Sequence, residues 1–331
     1  MQTHIRKSKK FEEGKLGEND HYIHIEEADK DKLGLSEDLY IAHFNEKNAF
    51  DYIGLATKNE VARHSLGIEF YKSKDIFVGG HVNDARHGMG LYIFNSYNVD
   101  NENPKSDSIN RFYYGGWKDN RKHGTGALIN TKQYKENTLF EGYEGLFYED
   151  GYDVGVYYEE SLDKSYCAYY GLFDDFKKHD KEGLFYVFYD TETSVILGNI
   201  DKDVFKEGVK FNFDDNGSFL NYIVFTMNEA QTEHEHKDQG ESETVMNEDI
   251  KAKFAKAKTF FAIVNAERKK LADNYRHLAG KEQGLLLIKS FDEFYRQHND
   301  LKKELGEYKL SNFGKRLLTE LKKPGKGDKA N

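Results

Sequence analysis

Two stretches of this chain can be laid over one another so that their punctuation coincides. The segment FVGGHVNDARHGMGLYIF begins at Phe77, and YYGGWKDNRKHGTGALI begins at Tyr113. Phe77, Gly79, Gly80, His87, Gly88 and Gly90 then fall on Tyr113, Gly115, Gly116, His123, Gly124 and Gly126, each pair 36 residues apart. A repeat of this length constrains the fold more than any other feature, because each copy must be one supersecondary unit that completes its core against its neighbours.

Looser copies flank these two. Upstream, Tyr52 and Gly54 lead to the His64 of HSLG; downstream, one unit runs from Tyr143 and Gly145 to Gly155 and another from Tyr169 and Gly171 to Gly183. A worn copy starts at Ile196, which makes about six units between Tyr52 and Phe213. Within a unit, Tyr113, Gly115 and Trp117 alternate with period two, the signature of a strand with one buried face. The polar stretch KDNRKHG reverses the chain, with Asn120 and Gly124 suited to positive φ, and GTGALI is the return strand. A single hairpin buries too little to stand alone, so neighbouring units must stack their aromatic faces. Composition agrees: 24 Phe and 23 Tyr supply large β-favouring rings, and 29 glycines against two prolines supply tight reversals.

These residues carry a resemblance to the MORN-repeat family, whose general form is Y-x-G-x-W/F-x-x-G-x-x-H-G-x-G. RHGMG and KHGTG match it closely. Elsewhere it weakens: Ser65 follows His64, Asp153 stands where the Tyr143 unit should have histidine, and the Tyr169 unit reads HDKEG. The resemblance covers roughly half of the chain. It implies a β-hairpin repeat sheet and scaffolding roles such as those in radial-spoke heads of motile cilia and in cortical scaffolds.

The flanks read differently. Residues 1–45 show no repeat and are expected to form a cap, with Leu33, Leu35, Leu39, Ile41 and Phe44 as a short helix or strand. The repeat domain is expected over 46–227, with the polar insertion at 95–110 as an exposed loop. Residues 228–249 are acidic and nearly free of aliphatic side chains, which predicts a flexible linker. His234 and His236 lie there beside Glu233 and Glu235, and a solvated charge run is the preferred reading over a metal site.

Beyond the linker the period changes. Ile250, Phe254, Ala257, Phe261, Val264, Arg268, Leu271, Tyr275 and Leu278 recur at helical spacing, with Gly280 as the stop. After the connector KEQG, a second stripe runs through Leu287, Phe291, Phe294, His298, Leu301, Leu305 and Tyr308, with a shorter helix near Phe313–Leu321 and a disordered tail at 324–331. The stripe either folds back on the sheet or binds a partner, and Phe254, Phe261, Leu271, Phe291, Phe294 and Leu301 are the candidate partner-binding residues. The expected architecture is thus mainly β: an elongated antiparallel β-hairpin repeat sheet followed by a basic α-helical hairpin over 250–323.

Charge divides along the same line. The whole chain carries −10, whereas 251–323 holds 18 Lys and Arg against 9 Asp and Glu, so the remainder is near −19. The acidic total disfavours nucleic acid as the partner. An anionic surface, tubulin or lipid, is open to the tail through lysines such as Lys251, Lys258, Lys269 and Lys270. Cys167 is the sole cysteine, which excludes a disulfide framework within the chain. No apolar leader or membrane-spanning run is read.

Catalytic signatures are missing from the sequence: there is no G-x-S-x-G, P-loop, H-E-x-x-H or helix-opening G-x-G-x-x-G. HGMG and HGTG resemble oxyanion loops, but they recur at the turn of a repeat. The carboxylate pairs Asp174–Asp175 and Asp214–Asp215 read as solvated turns, His87 and His123 as hydrogen-bonded within their own turns, and Trp117 as core. No enzyme activity, cofactor or metal is expected. The expected function is a scaffold subunit of a cytoskeletal, axonemal or radial-spoke-like complex, in the cytoplasm and at the cilium, with self-association left open. A peripheral tether to anionic membrane is the alternative.

Overall fold

A computed structural model describes residues 21–23, 39–45, 50–57, 62–73, 75–94, 109–134, 137–161, 165–189, 192–214, 216–227 and 234–285. The strands form one antiparallel meander. It opens with β1 (His21–Ile23), β2 (Leu39–Asn45), β3 (Phe50–Thr57), β4 (Arg63–Tyr71), β5 (Ile76–Val82) and β6 (Ala85–Phe94). It continues through β7 (Ile109–Lys118), β8 (Arg121–Tyr134), β9 (Asn137–Tyr148), β10 (Gly151–Glu160) and β11 (Tyr166–Asp174). It closes with the two-residue β12 (Lys177–Lys178), β13 (Asp180–Tyr189), β14 (Glu192–Asp201), β15 (Val204–Phe213), β16 (Phe219–Met227) and β17 (His234–Gly240). Pairing follows chain order throughout, with β13 taking the place beside β11.

Six of these hairpins are the six units. Five two-residue turns on one edge of the sheet, Asn83–Asp84, Asp119–Asn120, Glu149–Asp150, Asp175–Phe176 and Lys202–Asp203, have positive φ at both positions. That is the turn geometry whose twist matches a right-handed hairpin, and among residues with a Cβ, Asn and Asp tolerate it at least cost. Asn120 and Gly124 have the positive φ expected of them, 68° and 74°.

The alternation within each strand makes two unlike faces. On one face a large ring lies flat across a pair of glycines on adjacent strands. Gly115 faces Gly126, and a Cβ on Gly115 would stand 2.5 Å from the Gly126 Cα and 2.5 Å from the Tyr113 hydroxyl. Only bare backbone lets the ring lie that low. The hydroxyls of Tyr52, Tyr113, Tyr143 and Tyr169 then donate to the carbonyls of Leu55, Gly116, Leu146 and Leu172, at 2.6, 2.8, 2.7 and 2.9 Å. Each ring is roofed by the ring four residues further on in the next unit. The result is a continuous edge-to-face series: Phe77–Trp117 at 5.3 Å, Trp117–Tyr113 at 5.3 Å, Tyr113–Phe147 at 4.9 Å, Phe147–Tyr143 at 5.1 Å, Tyr143–Phe173 at 5.2 Å and Phe173–Tyr169 at 5.2 Å. Ile200, in the worn unit, holds the corresponding place at the far end and is 1% exposed.

The opposite face mixes aliphatic and aromatic side chains and carries α1 (Glu248–Leu285). Asn247 caps its first turn by accepting from the Ile250 N–H at 2.9 Å, and Glu248 and Asp249 suit the positive end of the dipole. Ile250, Phe254, Ala257, Phe260, Phe261, Ile263 and Val264 are buried in one core with Val195, Leu197, Phe211 and Phe213. Helix and sheet thus share their main apolar cluster.

Four expectations are corrected. The acidic 228–249 segment is not simply a linker: β17 pairs with β16 from Met227↔His234 to Tyr222↔Gly240, and a 3-10 turn (Glu243–Val245) leads into α1. Backbone pairing needs no apolar side chains, and polar residues suit a last strand. The boundary at residue 46 falls too late: the strand alternative for Leu39, Ile41 and Phe44 holds as β2, and β2 joins the sheet by pairing with β3 and with β1. The insertion ends sooner than expected, with Ile109 and Asn110 already in β7. Gly280 does not stop the helix, and the supposed connector 281–284 is helical. A helical glycine costs about 1 kcal/mol, which the helix-favouring Lys281, Glu282 and Gln283 help to offset. The second stripe, with Phe291, Phe294 and Leu301, and the helix near Phe313–Leu321 lie outside the described residues.

Candidate interaction surfaces

The turn edge is held together by one repeated contact. In four of the five turns, all but Asp175–Phe176, the residue in the second position reaches back to the strand that follows the previous turn. Its side chain accepts from that strand's backbone N–H, and its own N–H donates to the same residue's carbonyl. Arg63 is held in this way by Asp84 at 2.7 and 3.2 Å, Arg86 by Asn120 at 2.9 and 3.1 Å, Lys122 by Asp150 at 2.9 and 2.9 Å, and Lys178 by Asp203 at 3.0 and 2.9 Å. The side chains add a charge contact: Lys122 to Asp150 at 3.2 Å, Lys178 to Asp203 at 3.5 Å, and Arg121 to Glu149 alongside at 2.9 Å. Exposed pairs of this kind are worth well under about 1 kcal/mol each. The paired backbone bonds fix the spacing between turns.

The histidines of the HG motif join this edge and do not bond within their own turns as expected. His87 Nδ1 stands 3.9 Å from Asp119 in the next turn, and the His123 ring packs on Tyr148 at 5.5 Å. Each histidine follows its own turn by three residues, so its side chain projects over the neighbouring hairpin. In the Tyr169 unit, His179 does the same towards Asp201 at 3.1 Å.

The first two units each replace one apolar residue of the aromatic face with a polar one, Glu69 in the first and His81 in the second. His81 occupies the position held by Trp117, Phe147 and Phe173 in later units, and it packs edge-on against Tyr52 and Phe77, both at 5.3 Å. Glu69 stands where Tyr92, Leu128, Tyr157 and Phe185 stand, two residues after the second glycine of the unit. Both side chains are buried, and His81 Nε2 lies 3.0 Å from Glu69 Oε1. The Arg63 guanidinium and the Tyr71 hydroxyl also donate to the Glu69 carboxylate. Burial pushes the Glu69 carboxyl up, but the His81 hydrogen bond and charge, the Tyr71 hydrogen bond and the Arg63 charge outweigh it. The group is held below the ordinary glutamate range. His81 Nδ1 is buried without a partner, so the Nε2 proton serves Glu69.

The remaining candidates divide between packing and turn structure. Tyr52, Phe77, Tyr113, Trp117, Tyr143 and Tyr169 form the ring series, and Gly54, Gly79, Gly90, Gly115, Gly126, Gly145 and Gly171 form the floor beneath it. Gly88 and Gly124 take positive φ at equivalent sites. Phe254 and Phe261 are not a free docking stripe: they are 6% and 8% exposed, with Phe254 4.9 Å from Phe219 and Phe261 4.5 Å from Phe213. The sheet offers an apolar face that the helix can cover at once, so the stripe is consumed within the chain. Leu271 belongs to α1, and its side chain lies outside the described residues. Asp214 closes its own loop by accepting from Asn216 and Ser218 at 2.9 and 2.8 Å, Asp174 and Asp175 lie exposed at a turn, and Asp215 is outside the described residues. Burial, with Glu159 nearby, pushes the Cys167 thiol up to about 11.

No protein-family model matches this chain, and no curated protein matches it.

Among the described residues, no group of three or more His, Cys, Asp or Glu is placed to hold a metal ion. None of the described helices is long and apolar enough to cross a membrane. The cluster of Glu69, His81 and Arg63 was missed in the sequence, although one signal was available. Once the units are aligned, His81 falls on Trp117 and Glu69 on Leu128, so a polar pair stands where two apolar residues are the rule.

Proposed function

We propose that this chain is a non-enzymatic scaffold, a MORN-type repeat subunit of a cytoskeletal assembly and, in the first instance, of an axonemal, radial-spoke-like complex. One observation carries the reading. The side chains that define the repeat are used up in joining one unit to the next: rings roof glycines, hydroxyls cap carbonyls, and turn carboxylates hold the neighbouring strand. Such a chain is quasi-one-dimensional and presents a long regular edge. The described strands, at about 4.8 Å spacing, extend on the order of 75 Å, a length suited to holding several partners in register.

The membrane-tether alternative receives less support. Of the lysines on the first turns of α1, Lys251, Lys253 and Lys256 are paired with Glu248, Asp249 and Glu182 at 2.9, 2.6 and 2.7 Å. The apolar side that would enter a lipid layer is already against the sheet.

The test is purification of the tagged protein from its own cells in mild salt. Co-purification with axonemal or cortical proteins is the expected result. Recovery of the chain alone, or with vesicles of anionic lipid in a tail-dependent manner, overturns the scaffold reading.

A further inference from the structure

The face that carries α1 has two separate clusters. One contains α1; the other consists of Ile68, Ile76, Val78 and Ile93 on β4–β6, with Leu66, Phe70 and Leu91 at its margin. The second contains no described residue of α1, which packs chiefly against β13, β14 and β15. Yet Ile68, Ile76, Val78 and Ile93 are only 0, 3, 3 and 4% exposed, as buried as the residues beneath the helix. On the opposite face such burial comes from broad rings lying flat and roofing one another. Short aliphatic side chains standing up from a sheet cannot do this, and they reach such values only under a second layer. Beside the cluster opens a cavity of about 460 Å³, lined by Leu66, Val78, Met89, Leu91, Tyr114 and His64. The buried Nδ1 of His64 has no partner, and Met89 on the rim is 54% exposed.

We propose that residues 286–321 of this same chain form that second layer over β4–β6, with the Phe291 and Phe294 side of their stripe against the cavity. Amphipathic pattern, volume and reach all favour this occupant. The stripe Leu287, Phe291, Phe294, Leu301 and Leu305 has the 3–4 spacing of a helix with one apolar side, whereas residues 1–38 offer only scattered apolar positions. A cavity of this size accepts large apolar groups. The 38-residue α1 is about 57 Å long, and the separation of β5 from β14 is roughly 40 Å, so its end can deliver the next segment there. The cover closes the aliphatic face of the early units and leaves the turn edge free.

The test uses the full chain with a photoreactive benzophenone amino acid at position 89. After illumination, mass spectrometry on a mixture of isotopically labelled and unlabelled copies distinguishes links within one chain from links between two. Links within one chain to residues 286–321 are expected. Links confined to 1–38, links to a second copy, or no link overturn the proposal. A second measurement follows hydrogen exchange in Met89→Asp, a change at an exposed rim. Amides of 287–305 should lose at least tenfold in protection while those of Val78 and Leu91 keep theirs. Unchanged exchange at 287–305 overturns the proposal as well.

Discussion

The Phe176 ring packs edge-on against Tyr152 at 5.0 Å, in the place where the other four turns exchange hydrogen bonds with the strand after the previous turn. Phe176 holds the second turn position taken elsewhere by Asp84, Asn120, Asp150 and Asp203, and Tyr152 holds the receiving position taken by Arg63, Arg86, Lys122 and Lys178. The two positions change chemistry together, so the edge contact is a paired choice between charge and aromatic surface.

A double-mutant cycle should show this coupling. Tyr152→Lys also loses the 3.9 Å stack on Tyr143 and will destabilise strongly, whereas Phe176→Asp relieves an aromatic residue at positive φ. The pair together should be more stable than the sum of the two changes by about 0.5–1.5 kcal/mol in urea unfolding. Strict additivity would show that the two positions are independent.

Asn120 tests the contact where it is intact. Asn120→Asp should lie within about 0.5 kcal/mol of the parent, because aspartate fills the same role at 84, 150 and 203. Asn120→Ala loses the bond to the Arg86 N–H and places a Cβ-bearing residue without local support at positive φ, and it should cost about 1–3 kcal/mol. Equal urea midpoints for the two variants would remove the contact from the account.

Removing one member of the buried pair should hurt more than removing both. Glu69→Leu leaves His81 and Arg63 facing an apolar group and should cost about 3–5 kcal/mol, whereas Glu69→Leu with His81→Phe restores the ring pattern of later units and should recover most of it. Acid should act through the same carboxyl. Its folded value lies below its unfolded one, so its contribution is complete above the ordinary glutamate range near pH 4.3 and is lost as pH falls through the lower folded value. Glu69→Gln should therefore flatten the acid limb of the stability curve, and an unchanged limb would mean that other groups set it.

Phe254→Ala discriminates between helix as core and helix as dock. Phe254 lies among Phe211, Phe213 and Phe219 at 5.3, 6.2 and 4.9 Å, so truncation should cost about 3–5 kcal/mol of thermal or urea stability. A stable variant that has only lost a binding partner would reverse the assignment.

The amino-acid pattern by itself determined the unit and its turns. Alternation of ring, glycine and ring specifies a strand that is flat on one side, Asn120 and Gly124 announce positive φ, and copying them obliges the hairpins to stack. These are local properties, readable wherever the residues stand. Three matters were decided only by tertiary structure, because each depends on which strands become neighbours. The acidic His234–Gly240 segment became a strand because β16 offered it an unpaired edge. Phe254 and Phe261 became core because an apolar sheet face, with Phe211, Phe213 and Phe219, lay within reach of the helix. Glu69 and His81, twelve residues apart, became a buried pair because the register Gly67↔Gly79 set both side chains on the same face.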